Sequence, residues 1–116
     1  MIDLNELSGI CEKYSKMRIE NGAKIDEDPL KHCSGELAEA IIQRQKMYDI
    51  LESELISKET KNKVQDIEKT KYADELMDIM YCVLVACKQD DIDVEKALMN
   101  NIDKNKKRAL CTGDKK

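Results

Sequence analysis

Four acidic side chains of this sequence stand in two pairs at a spacing of three, Glu36 with Glu39 and Glu75 with Asp78. On a helix, residues three apart share a face, so each pair would present its carboxylates side by side. If the two helices pack antiparallel, both pairs can meet at one level of a bundle. Desolvated like charges at such distances cannot all stay ionised, so the cluster would either hold protons at raised pKa or bind a multivalent cation. Hard oxygen ligands select Mg²⁺, Mn²⁺ or Ca²⁺. The alternative is ordinary salt bridging to Lys71, Lys46 or Arg44.

Spacing alone does not choose between these readings. With 24 acidic residues among 116, about five such pairs are expected by chance, and the chain has five: Asp3/Glu6, Glu36/Glu39, Asp49/Glu52, Glu75/Asp78 and Asp90/Asp93. The first and last suit caps or turns, and Asp49/Glu52 sits among polar neighbours. The other two have different surroundings. Glu75 and Asp78 lie in YADELMDIMYCVLVAC (Tyr72 to Cys87), the most apolar stretch of the chain, and their face continues through Cys82, Val85 and Gln89. Glu36 and Glu39 continue a face from His32 toward Gln43, while Leu37, Ala40 and Ile41 are expected to point elsewhere into the core.

The elements that must position these groups are helices. Four Gly, one Pro, no Phe and no Trp, with abundant Glu, Lys, Leu and Ala, favour an all-α fold. A first helix is predicted from Asp3 as N-cap, with Glu6 in capping-box position, through Leu4, Leu7, Ile10, Cys11, Tyr14 and Met17 to a stop at Asn21-Gly22. Ala23 to Pro29 is expected to be a loop, followed by a helix from about Leu30 to Glu54. Leu55 to Asn62 lacks an apolar period and reads as a connection before a third helix, Lys63 to Lys88. That helix is apolar on nearly every side between Leu76 and Ala86, which implies burial between helices or at a subunit interface. A last helix is predicted from Asp93 as N-cap through Val94, Ala97, Leu98 and Ile102 to about Leu110, leaving a loose tail over 110–116 in a single domain of 1–116.

Composition excludes several classes. A net charge of −4 argues against a nucleic-acid binder, which needs a positive face. No apolar run approaches the roughly 20 residues of a membrane span, and MIDLNELSG lacks the basic start and apolar run of a signal peptide. The expected location is the cytoplasm. Cys11, Cys33, Cys82, Cys87 and Cys111 form no CxxC and read as reduced structural thiols.

In order, GELAEAI (Gly35 to Ile41), DELMDIMYCVLVAC (Asp74 to Cys87) and IDVEKALMNNIDKNKKR (Ile92 to Arg108) resemble the MazG-like all-α nucleoside-triphosphate pyrophosphohydrolases. That superfamily carries ExxE on one helix, ExxD on the next, and then a helix ending in a Lys-Asn-x-x-Arg-like pattern. The resemblance implies a four- to five-helix bundle assembled as a homodimer or homotetramer. It also implies Mg²⁺ (or Mn²⁺) held by Glu36, Glu39, Glu75 and Asp78 as the catalytic centre, and cleavage of a nucleoside triphosphate between its α and β phosphates. Lys104, Asn105 and Arg108 would then contact phosphates or sugar. His32 would contact base or phosphate at the mouth of the site, or else serve simply as a helix-start residue. Tyr72 and Tyr81 are expected to pack.

The chain departs from the pattern where many relatives carry further glutamates one turn before the position of Glu36; here His32 and Cys33 stand there. That departure motivates a second class of function, a non-catalytic nucleotide or metal sensor of the same fold. A third is a helical interaction module whose acids are salt bridges.

Overall fold

The computed structural model describes residues 2–24 and 27–111. Its elements are α1 (Leu4–Glu20), α2 (Pro29–Glu52), α3 (Lys58–Gln89) and α4 (Val94–Leu110), with no strand among the described residues. None of these helices is long and apolar enough to cross a membrane. The expected tail falls on residues 112–116, outside the described residues; Leu110 itself is helical.

Each helix starts where a side-chain oxygen can take up free backbone N–H groups. Asp3 accepts from Asn5 and Glu6, Asp28 from Leu30, Ser57 from Thr60 and Asp93 from Lys96. Two predicted starts need correction. Pro29 belongs to α2 rather than to the loop, because a proline in the first turn costs no intrahelical hydrogen bond. The third helix begins at Lys58, five residues before the predicted Lys63. Its first turn, Lys58 to Lys61, carries no apolar side chain, so Ser57 and the backbone set the start and no hydrophobic period reveals it.

The ends of α1 and α3 share one geometry. The N–H of Gly22 donates to Ile19 (3.0 Å) and that of Ala23 to Arg18 (2.9 Å); the N–H of Asp91 donates to Lys88 (3.3 Å) and that of Ile92 to Cys87 (2.8 Å). Both are Schellman closures, which need a left-handed residue after the cap. Gly22 fills that position at φ 85° and Asp91 at φ 55°.

The longest helix, α3, is the spine. α2 packs along one side of it in the opposite direction, as the Gln43 to Glu68 hydrogen bond across the pair shows. α1 packs antiparallel on another side: Tyr81 Oη donates to the Cys11 carbonyl (2.8 Å), and the buried Ser8 hydroxyl donates to the Leu84 carbonyl. α4 meets α1 through its first turn. Asn5 Nδ2 donates to Asp93 (2.9 Å), Asn5 Oδ1 accepts from the Val94 N–H (2.7 Å), and the Leu4 N–H donates to Glu95 (3.2 Å).

The core within one chain is small: among the described residues Ala40, Cys82, Leu84, Val85 and Val94 are the buried apolar ones. Leu37 and Ile41, expected in the core, are 51% and 61% exposed. They flank the α3-facing side of α2, and no element of the same chain covers that flank. Of the apolar α3 stretch, Leu76, Met77, Met80 and Val83 also stay exposed. The chain exposes 9157 Å², whereas a compact monomer of 13.3 kDa would expose about 6,500 Å². Its radius of gyration is 18.3 Å, against about 13 Å for a compact chain of this length.

The two closures make opposite predictions. Gly22→Ala places a Cβ at a left-handed φ and should destabilise by about 1 kcal/mol, whereas Asp91→Gly relieves that conformation and should stabilise by about 0.5 kcal/mol. Thermal or urea unfolding of the two variants beside the parent checks both signs.

Candidate functional site

Positions 32, 36, 39 and 43 of α2 and 68, 75, 78 and 82 of α3 form the facing stripes of the helix pair. Because the pair is antiparallel, residues of descending number on α3 meet residues of ascending number on α2. Gln43 therefore meets Glu68, and Glu36 and Glu39 lie level with Asp78 and Glu75. Carboxylate oxygens of Glu36, Glu75 and Asp78 come within 4.8 Å of one another. Glu39, more exposed, stands against both Glu36 and Glu75.

The electrostatics follow from that crowding. Burial raises the pKa of Glu36, the charges of Glu39 and Asp78 raise it further, and His32, whose Nε2 lies 3.2 Å from Glu36 Oε1, opposes them. Glu75 is raised for the same reasons, burial first, then Glu39 and Asp78. One oxygen of each, Oε2 of Glu36 and Oε2 of Glu75, is buried with no hydrogen-bond partner. A buried carboxylate oxygen left bare is costly, and such atoms usually mark a missing ion or water.

Salt bridging is not the answer among the described residues. Lys71 pairs with Glu68 (3.6 Å) and Arg44 hydrogen-bonds Tyr48 (3.0 Å), so neither neutralises the cluster. Among the described residues no lysine or arginine forms an ion pair with Glu36, Glu39, Glu75 or Asp78, and the imidazole of His32 lies against Glu36. An all-oxygen donor set with two bare buried oxygens fits a hard divalent cation.

Two features adjoin the acids. Cys82, one turn beyond Asp78, is pushed up to about 11, by burial first and then by Cys33, Glu36 and Asp78 around it. It stays a neutral thiol at pH 7 and adds no charge to the cluster. The nearness of Cys33 to Cys82 was not foreseen. Its signal is that each lies about one turn outside its acid pair, on opposite helices of an antiparallel hairpin. Tyr81 packs as expected, its hydroxyl bonded to α1.

Lys104, Asn105 and Arg108 lie on exposed α4 and are not brought to the acids within the chain. Asn105 Nδ2 donates to Asn101, at both its carbonyl (2.9 Å) and its side-chain oxygen (2.8 Å). Lys104 and Arg108 make no ion pair with any described residue.

Comparison with known proteins gives one finding. A family model described as phosphoribosyl-ATP pyrophosphohydrolase matches residues 13–106, a span that contains all four acids, Lys104 and Asn105 and stops two residues short of Arg108. Neither a curated protein nor a solved structure gives a significant match.

The raised carboxyls predict a pH dependence of stability. A carboxyl whose pKa is raised on folding favours the folded state while protonated, and that stability is lost as pH rises from its ordinary value of 4.5 through the folded value. Without divalent ions the melting temperature of the parent should therefore fall, relative to Glu75→Gln, as pH rises above 4.5. At pH 7.5, Mg²⁺ should raise the parent's melting temperature and leave that of Glu75→Gln nearly unchanged. Equal pH profiles for the two proteins would contradict the crowding.

Proposed function

The chain belongs to the phosphoribosyl-ATP pyrophosphohydrolase family, and from that premise we propose that it is a Mg²⁺-dependent nucleoside-triphosphate pyrophosphohydrolase cleaving between the α and β phosphates. The products are a nucleoside monophosphate and pyrophosphate. The family lies within the MazG-like all-α superfamily, and its members are hydrolases acting on a phosphoric anhydride. One observation carries the reading: Glu36, Glu75 and Asp78 converge from two antiparallel helices, with two of their buried oxygens bare.

A divalent ion held by Glu36, Glu39, Glu75 and Asp78 would supply charge neutralisation for the phosphate oxygens and acidify the attacking water. The residues of the chain do the rest. Burial and mutual repulsion raise the proton affinity of Glu36 and Glu75, which suits either to take the water's proton. His32 fixes the orientation of Glu36. Arg108 offers a bidentate grip on phosphate, Lys104 a point charge, and Asn105 a hydrogen bond to phosphate or sugar.

The substrate named in the family description is itself an ATP derivative, so it falls within the proposed class. Mn²⁺ is the natural substitute for Mg²⁺, since both prefer oxygen donors. The enzyme acts as a homodimer or homotetramer, a reading supported by the apolar surface that one chain leaves uncovered. A cytoplasmic location suits its five free thiols.

The test is a panel of nucleoside triphosphates and phosphoribosyl-ATP with Mg²⁺, scored separately for pyrophosphate and orthophosphate. Pyrophosphate and monophosphate should appear in equal amounts, and Glu75→Gln should lower kcat/KM by on the order of 10²-fold or more. Orthophosphate release would contradict the assigned bond. Thermal stabilisation by nucleotide and Mg²⁺ without turnover would instead indicate a sensor.

A further inference from the structure

Close to the acids stands a cation that the chain's own acids leave alone. Arg44 follows Gln43, which closes the α2 stripe facing α3, and lies five residues beyond Glu39, about 7.5 Å further along the helix. It is exposed and forms no ion pair with any described residue. In a chain with 24 acidic residues that isolation has local causes. The positions three and four away on α2 hold Ala40, Ile41, Met47 and Tyr48, none of them acidic. Asp49, five residues on, accepts from Gln45 (2.8 Å), and Glu68, across the seam, accepts from Gln43 and pairs with Lys71 (3.6 Å).

What holds Arg44 is uncharged. Its Nε donates to the Tyr48 hydroxyl (3.0 Å), and its guanidinium carbon lies 5.1 Å from the centre of the Tyr48 ring. That hydrogen bond first, and then the electrostatic influence of Tyr48 and Tyr72, push the Arg44 pKa further up. Tyr72 lies on α3 three residues before Glu75, so its influence places Arg44 beside the seam that holds the acids. A tyrosine partner fixes the direction of a guanidinium without neutralising it. Because Nε is the donor engaged, the edge formed by the two terminal nitrogens remains, a fork that takes two oxygens of one phosphate.

The other end of the acid cluster differs. There His32 and Cys82 border the seam, and the cleft they line is shared by Arg18 and Glu27, a cation and an acid. The substrate is asymmetric in the same sense. With the α–β bond at the carboxylates, the pyrophosphate on one side carries most of the negative charge and the nucleoside on the other carries none.

We propose that Arg44, aimed by Tyr48, grips the β and γ phosphates of the nucleotide, so that the leaving pyrophosphate points toward the turn between α2 and α3 and the nucleoside toward His32 and α1. This rests on the pyrophosphohydrolase reading of the acids and deepens it. Arg44 becomes the residue that tells a triphosphate from a diphosphate, and Tyr48 a positioning residue that acts through it.

Calorimetric titration of the full chain with Mg²⁺ and pyrophosphate, and separately with a nucleoside monophosphate, tests the direction without turnover. Arg44→Ala, checked for parental helicity, should weaken pyrophosphate binding by about tenfold or more and leave monophosphate binding unchanged. Arg44→Lys keeps the charge but not the fork and should fall between. In turnover, the preference for a nucleoside triphosphate over its diphosphate should drop by about tenfold in Arg44→Ala, and Tyr48→Phe should raise KM for the triphosphate about threefold with kcat retained. Pyrophosphate binding that survives Arg44→Ala, monophosphate binding weakened in its place, or a wild type that binds no pyrophosphate would each overturn the assignment. A wild type that hydrolyses no nucleotide but binds pyrophosphate through Arg44 would end the enzymatic reading and keep the anion subsite.

Discussion

Repulsion among carboxylates that have partly lost their water is the constraint around which this molecule is arranged. Glu36, Glu75 and Asp78 would be more stable apart, yet two long helices hold their oxygens within 4.8 Å. Removing charges from water is costly unless a counter-charge replaces it. Among the described residues no lysine or arginine supplies that counter-charge, His32 alone lies against Glu36, and two buried oxygens have no hydrogen-bond partner. Such an arrangement persists when the rest of the fold over-determines it and when a ligand supplies the missing charge.

The fold over-determines it by fixing α3. Tyr81 and Ser8 tie α3 to α1, and Gln43 with Glu68 ties it to α2 one turn or more below the acids. Ala40, Cys82 and Val85, small or compact side chains, fill the seam and let the helices approach. The same contacts that build the small core therefore set the carboxylate spacing. Cys82 shows the link directly: it is a core residue, and its thiol feels the charges of Glu36 and Asp78.

Much of this was legible in the residues and some was not. Asp3, Asn21-Gly22 and Asp93 mark helix boundaries by local chemistry, and those boundaries stand in the structure. The beginning of α3 was hidden because Lys58 to Asn62 are polar and mostly exposed, and periodicity reports only apolar faces that are buried. Of the four acids, the type and spacing suggested that they share a face, while their meeting across helices depended on antiparallel packing that no local signal states. Leu37 and Ile41 were misplaced for a related reason: an apolar residue announces that it avoids water but not which chain covers it. The nearness of Cys33 to Cys82 follows from their places one turn outside the two acid pairs, but only once the antiparallel register of the hairpin is known.

The claim beneath all of this is that the carboxylate cluster is where a divalent cation sits. Paramagnetic Mn²⁺ titrated into protein labelled with ¹³C at its side-chain carboxyls reads that directly, residue by residue. At substoichiometric Mn²⁺, the signals of Glu36, Glu39, Glu75 and Asp78 should broaden first, while those of distant acids such as Glu12 and Asp103 persist. Broadening that spreads evenly over the exposed acids, or that reaches these four last, would contradict it.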